Sequence, residues 1–275
     1  MGYLRRILRF SALGVWFVIP GCVALVCVIG GWGAVKRVSY ITRIWGKGIA
    51  KILSLKINII GDLSKFNSGL IVSNHTGYFD IIAHASVFSI RFAPKVEILH
   101  WPVLGWYLAL SRPIWIDRRS KQKTKRTMKK FKETMEHGIP LIVYPEGTST
   151  DGKHGILPFK STPFEAAAST NSQIHPILTI YREPKDRKIS VCWWEEMTLF
   201  GHAWIVLGYP CIQVEIHVLP TVLPEGRNRK EIAKEVHDIM EKEYLRIMEN
   251  NAQETSIENS SESSSNPEQK AMATS

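Results

Sequence analysis

The sequence predicts an α/β domain with a central, mostly buried sheet flanked by helices, preceded by an N-terminal membrane-inserted helix or helical hairpin. Three observations carry that expectation. Apolar runs of strand length alternate with helix-length amphipathic stretches through the middle of the chain. Near the start, Phe10 to Val35 contains no charged residue. From about Asn250 the chain becomes rich in Ser, Glu, Asn and Gln. The domain boundaries follow: a membrane anchor and interfacial helix over 1–54, the α/β domain over 55–249, and a disordered tail over 250–275. At 275 residues and 45% hydrophobic, the chain can bury a full core, which excludes a disordered or collagen-like polymer. Its four cysteines, Cys22, Cys27, Cys192 and Cys211, are too scattered for a disulfide framework or a paired-CxxC zinc site, and no metal is expected.

The elements are justified in chain order. The uncharged run exceeds the roughly 20 residues a spanning helix needs. No small-x-small cleavage site precedes Lys36, which argues against a signal peptide. Arg5, Arg6 and Arg9 precede the run; Lys36, Arg37, Arg43, Lys47, Lys51 and Lys56 follow it. The larger following cluster places the main body on the cytoplasmic face of a bacterial inner membrane or its equivalent. Pro20-Gly21 marks a place to kink or turn back, so a full span and a re-entrant hairpin both stay open. Residues 36–54 read as an amphipathic helix, with Val38, Ile41, Trp45, Ile49 and Ile52 near helical spacing. Strands are expected at 55–60, 69–73, 113–117, 139–144, 174–180, 188–193 and 212–218. Helices are expected at 79–90, 102–110, 119–136, 162–170, 198–207 and 229–248. The polar tail cannot bury enough apolar area to offset its ordering entropy.

The formal net charge of +10 is unevenly spread. Residues 1–61 hold nine basic residues and no acid, and residues 112–132 hold ten basic residues against Asp117 alone. Residues 133–249 hold 12 basic against 17 acidic. The second basic block, over 118–132, reads as a solvated helix face or as a docking face for anionic lipid or an acidic carrier protein. No nucleic-acid reader motif accompanies it, so no nucleic-acid partner is expected.

Two segments carry chemistry. Ser73-Asn74-His75-Thr76-Gly77-Tyr78-Phe79-Asp80 follows an apolar strand and opens a helix-like stretch. If the chain turns into a helix between His75 and Asp80, the carboxylate reaches the imidazole, fixes its tautomer and leaves the other nitrogen as a general base. From the spacing alone, a structural His75 and a helix-capping Asp80 remain open. No G-x-S-x-G elbow is present, which points to a base acting on a substrate hydroxyl with no acyl-enzyme. Tyr144-Pro145-Glu146-Gly147-Thr148-Ser149 follows the apolar strand Ile139–Tyr144. It reads either as an ordinary glycine turn or as a cradle whose amides, Thr148 hydroxyl and Glu146 carboxylate meet a head group.

Four blocks occur in order: Asn74-His75-x4-Asp80, Pro113-Ile114-Trp115-Ile116-Asp117-Arg118, Tyr144-Pro145-Glu146-Gly147-Thr148, and Ile174-His175-Pro176-Ile177. Together they resemble the glycerolipid acyltransferases typified by 1-acylglycerol-3-phosphate O-acyltransferases. The resemblance runs from about residue 40 to 220. It implies that His75 is the catalytic base and Asp80 its partner. It also implies that Lys95 and Arg118 hold the acceptor phosphate, and that Glu146, Gly147 and Thr148 belong to the acceptor-binding third motif. Pro176 would shape the site or acyl pocket. The implied donor is an acyl thioester on coenzyme A or acyl carrier protein, with no cofactor.

The expected reaction is acylation of lysophosphatidic acid to phosphatidic acid, with membrane lipids as surroundings. Ser149 stands where the family's third motif usually has Arg. That departure, with Leu157-Pro158-Phe159-Lys160, resembles the branch that includes lyso-ornithine-lipid acyltransferases, so a lyso-ornithine lipid is an alternative acceptor. A membrane-tethered binding protein without enzymatic activity is the other alternative.

Overall fold

The computed structural model describes residues 2–264 apart from 102, 103, 184–186, 188 and 196, with side chains through Gln253. Its strands are β1 (Leu55–Ile60), β2 (Leu70–Ser73), β3 (Arg91–Phe92), β4 (Leu141–Val143), β5 (Ile174–Arg182) and β6 (Ile212–Val218). They form one mixed sheet in the order β1-β6-β5-β2-β4-β3. β2 pairs in parallel with β4 and β5, and β3 extends that parallel set at β4. β6 runs antiparallel to β5, with β1 parallel to β6 at the edge. The carboxyl ends of β2, β3, β4 and β5 therefore open in one direction, where open α/β sheets bind ligands.

The helices are α1 (Gly2–Cys27), α2 (Trp32–Leu53), α3 (Tyr78–Val87), α4 (Leu104–Leu110), α5 (Lys121–Glu136), α6 (Phe164–Thr170), α7 (Leu199–Val206) and α8 (Arg229–Ser264). They cover both faces of the sheet, as the continuous apolar sequences of β2 and β4 require. Strand alternation sorts the core. Leu70, Val72, Leu141 and Val143 meet Phe131 of α5, Phe164 of α6, and Val236 and Met240 of α8. Ile71, Ile142, Ile177 and Ile216 face the other way, against Phe66 and Phe88. Phe131 and Phe164 are fully buried, worth about 1.5–3 kcal/mol each in apolar transfer. Toward β1 and β6, α2 and α3 meet Ile212 and Val214 through Ile49, Ala50, Phe79 and Ala83.

The structure redraws several expected elements. Pro20 lies inside α1 without ending it; the chain turns back at Val28–Gly31, where Gly30 takes φ +115°. The uncharged run is thus the arm and turn of an α1–α2 hairpin, and the amphipathic helix begins at Trp32. Residues 113–117 do not form a strand. They run beside 92–96, with Ile114 and Ile116 donating to Phe92 and Pro94, and gain only one bridge, Lys95 to Ile116. Residues 189–193 form a loop, because the Glu183 carboxylate takes the Ser190 hydroxyl and the Val191 N–H; residue 188 lies outside the described residues. β3 and a 3-10 turn at Val96–His100 arise in a stretch that carries no periodic pattern. α8 continues past Asn250 to Ser264, and the last eleven residues lie outside the described residues.

Both ends of the hairpin are tied to the domain. Arg5 donates to Gly208 O (2.9 Å), while Arg9, buried, reaches Leu207 O (3.1 Å), Tyr209 O (2.5 Å) and Ser54 Oγ (2.8 Å). At the turn, Arg112 donates to Gly30 O (2.7 Å) and Gly31 O (3.2 Å), and Trp32 stacks on His137 with centroids 4.1 Å apart. α1 is long and apolar enough to cross a membrane by length and composition. Its outer face exposes Tyr3, Leu8, Phe10, Val15, Val18 and Val26.

Candidate active site

β2 is buried along its whole length and delivers the chain to Asn74 at the carboxyl edge of the sheet. Asn74 is held on β5: its Nδ2 donates to Thr179 O (2.9 Å) and its Oδ1 accepts from Thr179 N (2.8 Å). The loop then reverses through Gly77 into α3, which places Asp80 in the first helical turn. Gly77 has φ +149°, and a Cβ there would come within 2.8 Å of Trp193 N, so both backbone conformation and space demand glycine.

Asp80 is fully buried and accepts five hydrogen bonds. Oδ2 takes His75 Nδ1 (2.8 Å), Thr76 N (2.6 Å) and Gly77 N (3.1 Å). Oδ1 takes Thr76 Oγ1 (2.9 Å) and Tyr181 OH (3.0 Å). Burial alone would raise its pKa. The hydrogen bond and charge of His75, with the Thr76 N–H, outweigh burial and hold the carboxyl below the usual range. An ionised Asp80 places the imidazole proton on Nδ1, leaving the Nε2 lone pair open. Nε2 has no hydrogen-bond partner among the described residues, and the His75 side chain is 23% exposed. The arrangement can accept a proton at Nε2 and stabilise the resulting cation.

The Tyr144–Gly147 turn, following β4, closes the other side. Tyr144 stacks on the His75 ring, centroids 4.4 Å apart and planes 25° apart. Glu146 is buried and bridges two loops: Oε1 accepts from His75 N (2.7 Å) and Oε2 from Leu157 N (3.1 Å). Burial pushes its carboxyl up to about 7, against those two hydrogen bonds. Both oxygens are therefore engaged by backbone, and the carboxylate positions the His75 loop. Thr150 N donates to His75 O (2.9 Å), completing the clamp.

Beyond Glu146 three cations gather. Gly147 has φ +77°, and a Cβ there would overlap Lys160 Nζ and lie 3.2 Å from Arg118 Nη1. Lys160 N donates to Pro145 O (3.0 Å), which sets the Leu157–Lys160 segment beside the turn. Burial, followed by the charges of Arg118 and Lys95, lowers the Lys160 pKa, which places Lys95 in the same group. Asp117 is occupied by Arg119 (2.7 Å) and Lys123 (2.8 Å). Among the described residues Lys95, Arg118 and Lys160 have no acidic partner within ion-pair distance. Three unpaired cations beside a tight glycine turn make an anion-binding surface.

The sequence-derived candidates thus sit in two adjoining groups, His75 with Asp80 and Glu146, and Lys95 with Arg118 and Gly147. Thr148 is exposed on the same turn. Pro176 lies within β5 beside Val72 of β2, three residues before the Thr179 that anchors Asn74. Sequence reasoning missed Tyr181 and the stacking of Tyr144 on His75. Lys160 entered only through the resemblance carried by Leu157-Pro158-Phe159-Lys160. Tyr181 and His75 are separated by 106 positions, so no local spacing signals their shared carboxylate.

A family model described as Acyltransferase matches residues 56–180, which contain His75, Asp80, Lys95, Arg118, Glu146, Lys160 and Pro176. The lyso-ornithine lipid O-acyltransferase of Brucella abortus is 26% identical over 200 residues, covering 68% of this chain and 74% of that protein. The corresponding Rhodobacter capsulatus protein is 33% identical over 163 residues, covering 57% and 58%. The 1-acyl-sn-glycerol-3-phosphate acyltransferase of Neisseria meningitidis is 23% identical over 215 residues, covering 78% and 83%. The crystal structure of the 1-acyl-sn-glycerophosphate acyltransferase from Thermotoga maritima shares the fold, with a TM-score of 0.62 at 20% identity, over 90% of this chain and 98% of that one. With the matching model laid across both groups of site residues and relatives of one reaction class along most of its length, the chain is similar to the lysolipid acyltransferases and is an O-acyltransferase.

Proposed function

We propose that this enzyme transfers an acyl group from a coenzyme A or acyl-carrier-protein thioester to the free hydroxyl of lysophosphatidic acid, forming phosphatidic acid, with His75 as general base. One observation carries the reading: the open Nε2 of His75 and the cations Lys160 and Arg118 meet across the single turn Glu146-Gly147. A head-group phosphate held by Lys95, Arg118 and Lys160 brings a glycerol hydroxyl within reach of that nitrogen. Nε2 takes the hydroxyl proton as the oxygen attacks the thioester carbonyl. The C–S bond then breaks, and the thiolate leaving group recovers the proton from His75. Asp80 stabilises the imidazolium meanwhile. General-base catalysis of this kind contributes about 10²–10⁴-fold, and holding two substrates together supplies the larger share. His75→Ala, assayed with labelled acyl donor and lysophosphatidic acid in membranes, should lose at least two orders of magnitude. Undiminished turnover in that variant would sink the mechanism.

A second acceptor has specific support. Ser149 replaces a guanidinium expected in the phosphate-binding motif, and relatives named as lyso-ornithine lipid acyltransferases match this chain. Parallel assays of purified enzyme on lysophosphatidic acid and on lyso-ornithine lipid separate the two. Turnover of the aminolipid alone would select it.

The anchor supports a position on one leaflet. A 26-residue helix is about 39 Å long. Were α1 to cross the bilayer, its two ends would lie on opposite sides, whereas both are bonded to the catalytic domain. In-plane insertion of its exposed apolar face, on the cytoplasmic side, satisfies both ties. The basic face of α5 then meets anionic lipid or an acidic acyl carrier.

A further inference from the structure

We propose that His84 and Tyr144 are positioning residues for His75: a buried neutral imidazole holds the Tyr144 ring flat against the catalytic imidazole, and that ring face favours its protonated form. The proposal rests on His75 acting as the base.

His84 sits one turn beyond Asp80 on α3 and is fully buried. Both ring nitrogens are engaged, Nδ1 with Tyr144 OH (2.9 Å) and Nε2 with Thr179 Oγ1 (2.8 Å). The hydrogen-bond directions follow from the far end of this chain. The Ser73 hydroxyl donates to Asn74 Oδ1 (3.4 Å), so the 3.2 Å bond between Ser73 and Thr179 is donated by Thr179. The Thr179 hydroxyl, its proton spent on Ser73, accepts from His84 Nε2–H. In the neutral ring that burial favours, Nδ1 is then the acceptor, and Tyr144 O–H donates to it. A single neutral tautomer satisfies every member, and burial agrees, pushing the His84 pKa down to about 4.

The consequence falls on His75. Tyr144 presents its π face to the imidazole at 4.4 Å, while its hydroxyl is fixed from behind by His84. A ring face attracts a cation, so this stacking favours the imidazolium formed during transfer. A cationic His84 would oppose it, and complete burial keeps His84 neutral. The other charged or titratable groups around His75 are Asp80, whose carboxylate also takes Tyr181, and Glu146 at the backbone amide. Asp80 and Tyr144 thus support the same proton position from the edge and the face of the ring. His84 is bonded to Tyr144 across 60 positions of sequence.

Four variants test the proposal on purified enzyme with acyl donor and acceptor lysolipid, reading kcat, KM, the pH profile of kcat and the melting temperature. His84→Leu removes both hydrogen bonds; His84→Gln keeps a neutral donor and acceptor. Tyr144→Leu removes the ring; Tyr144→Phe keeps it without the hydroxyl. His84→Leu should lower kcat at least 5-fold with KM little changed, and His84→Gln should recover most of that loss. Tyr144→Leu should lower kcat about 10-fold and move the acid limb to lower pH by about half a unit or more, because the imidazolium loses its stabilising face. Tyr144→Phe should leave the limb in place. Wild-type kcat and an unmoved limb in both Leu variants would overturn the proposal, as would equal losses in His84→Leu and His84→Gln. If Tyr144→Leu does not fold, a limb shifted by Tyr144→Phe, or a His84→Leu kcat equal to wild type, overturns it instead. An active His75→Ala defeats the general-base reading itself, whereas an inactive His75→Ala beside unaffected Tyr144 and His84 variants defeats only this inference.

Discussion

Replacing Asp80 by Asn isolates what the buried carboxylate does for His75. All five hydrogen bonds to Asp80 come from donors, three at Oδ2 and two at Oδ1. The Oδ2 donors include two backbone N–H groups, which cannot turn. The Oδ1 donors are the hydroxyls of Thr76 and Tyr181, which can rotate and accept. An Asn side chain therefore settles with its oxygen at the Oδ2 position and its NH2 toward the two hydroxyls, and every group finds a partner. Folding survives, at a cost of about 1–3 kcal/mol for charge-assisted bonds turned neutral. By contrast, Asp80→Ala orphans two backbone N–H groups and the His75 ring, each at about 1–3 kcal/mol, a large share of a typical 5–15 kcal/mol stability. In Asp80→Asn the ring keeps its orientation but loses the negative charge that balances the imidazolium. Turnover should fall about 10²–10⁴-fold with acceptor KM within a few-fold of wild type. Steady-state assays with labelled thioester, paired with a melting curve, read both quantities. A folded Asp80→Asn enzyme with turnover within 3-fold of wild type would refute the reasoning, because geometry without charge would then suffice.

Three further outcomes are expected. Gly147→Ala places a side chain at φ +77°, costing about 1–2 kcal/mol, and displaces Lys160; acceptor KM should rise several-fold while kcat holds, as measured by varying acceptor at saturating donor. Glu146 has a folded pKa of about 7, above its reference of 4.5, so its contribution to stability is complete below about pH 4.5 and is lost as pH rises through 7. Chemical unfolding should therefore show the stability gap moving toward Glu146→Gln, by up to about 3 kcal/mol between pH 4.5 and 8; a constant gap would contradict this. Arg9→Ala strips the carbonyls of Leu207 and Tyr209 and the Ser54 hydroxyl of their donor and should cost about 3 kcal/mol, visible as a lowered melting temperature in detergent.

Legibility in the sequence followed the range of the interactions. β1, β2, β6, α3, α5 and α7 emerge within a few residues of their expected bounds, because periodicity and helix-opening residues act over one or two turns. The pairing of His75 with Asp80 was legible for the same reason: five residues and one helical turn bring them to 2.8 Å. Residues 113–117 and 189–193 looked like strands by composition, yet their backbone partners come from Phe92, Pro94 and the Glu183 side chain. Tyr181 and His84 carry no motif of their own, and nothing local in its motif gives Tyr144 its ring contact with His75. Tyr144 and Tyr181 reach the site because parallel pairing sets β4 and β5 on either side of β2, and His84 because it lies one turn beyond Asp80 on α3.

By itself, the sequence determined the fold class, the apolar N-terminal segment, the pairing of His75 with Asp80, and a surplus of positive charge in two blocks. Those are properties of composition, periodicity and short spacing, which no folding is needed to read. Tertiary structure decided where that charge acts. It placed Lys160 of one loop and Arg118 of another beside Gly147, with Lys95 of a third close enough to act on Lys160, and it set Arg119 and Lys123 on Asp117. It also decided that α1 returns to the domain at both ends, through Arg5, Arg9 and Arg112. The reason is common to both. A cation's role depends on which opposite charge or carbonyl lies within a few ångströms, and for residues far apart in sequence only the assembled fold sets that distance.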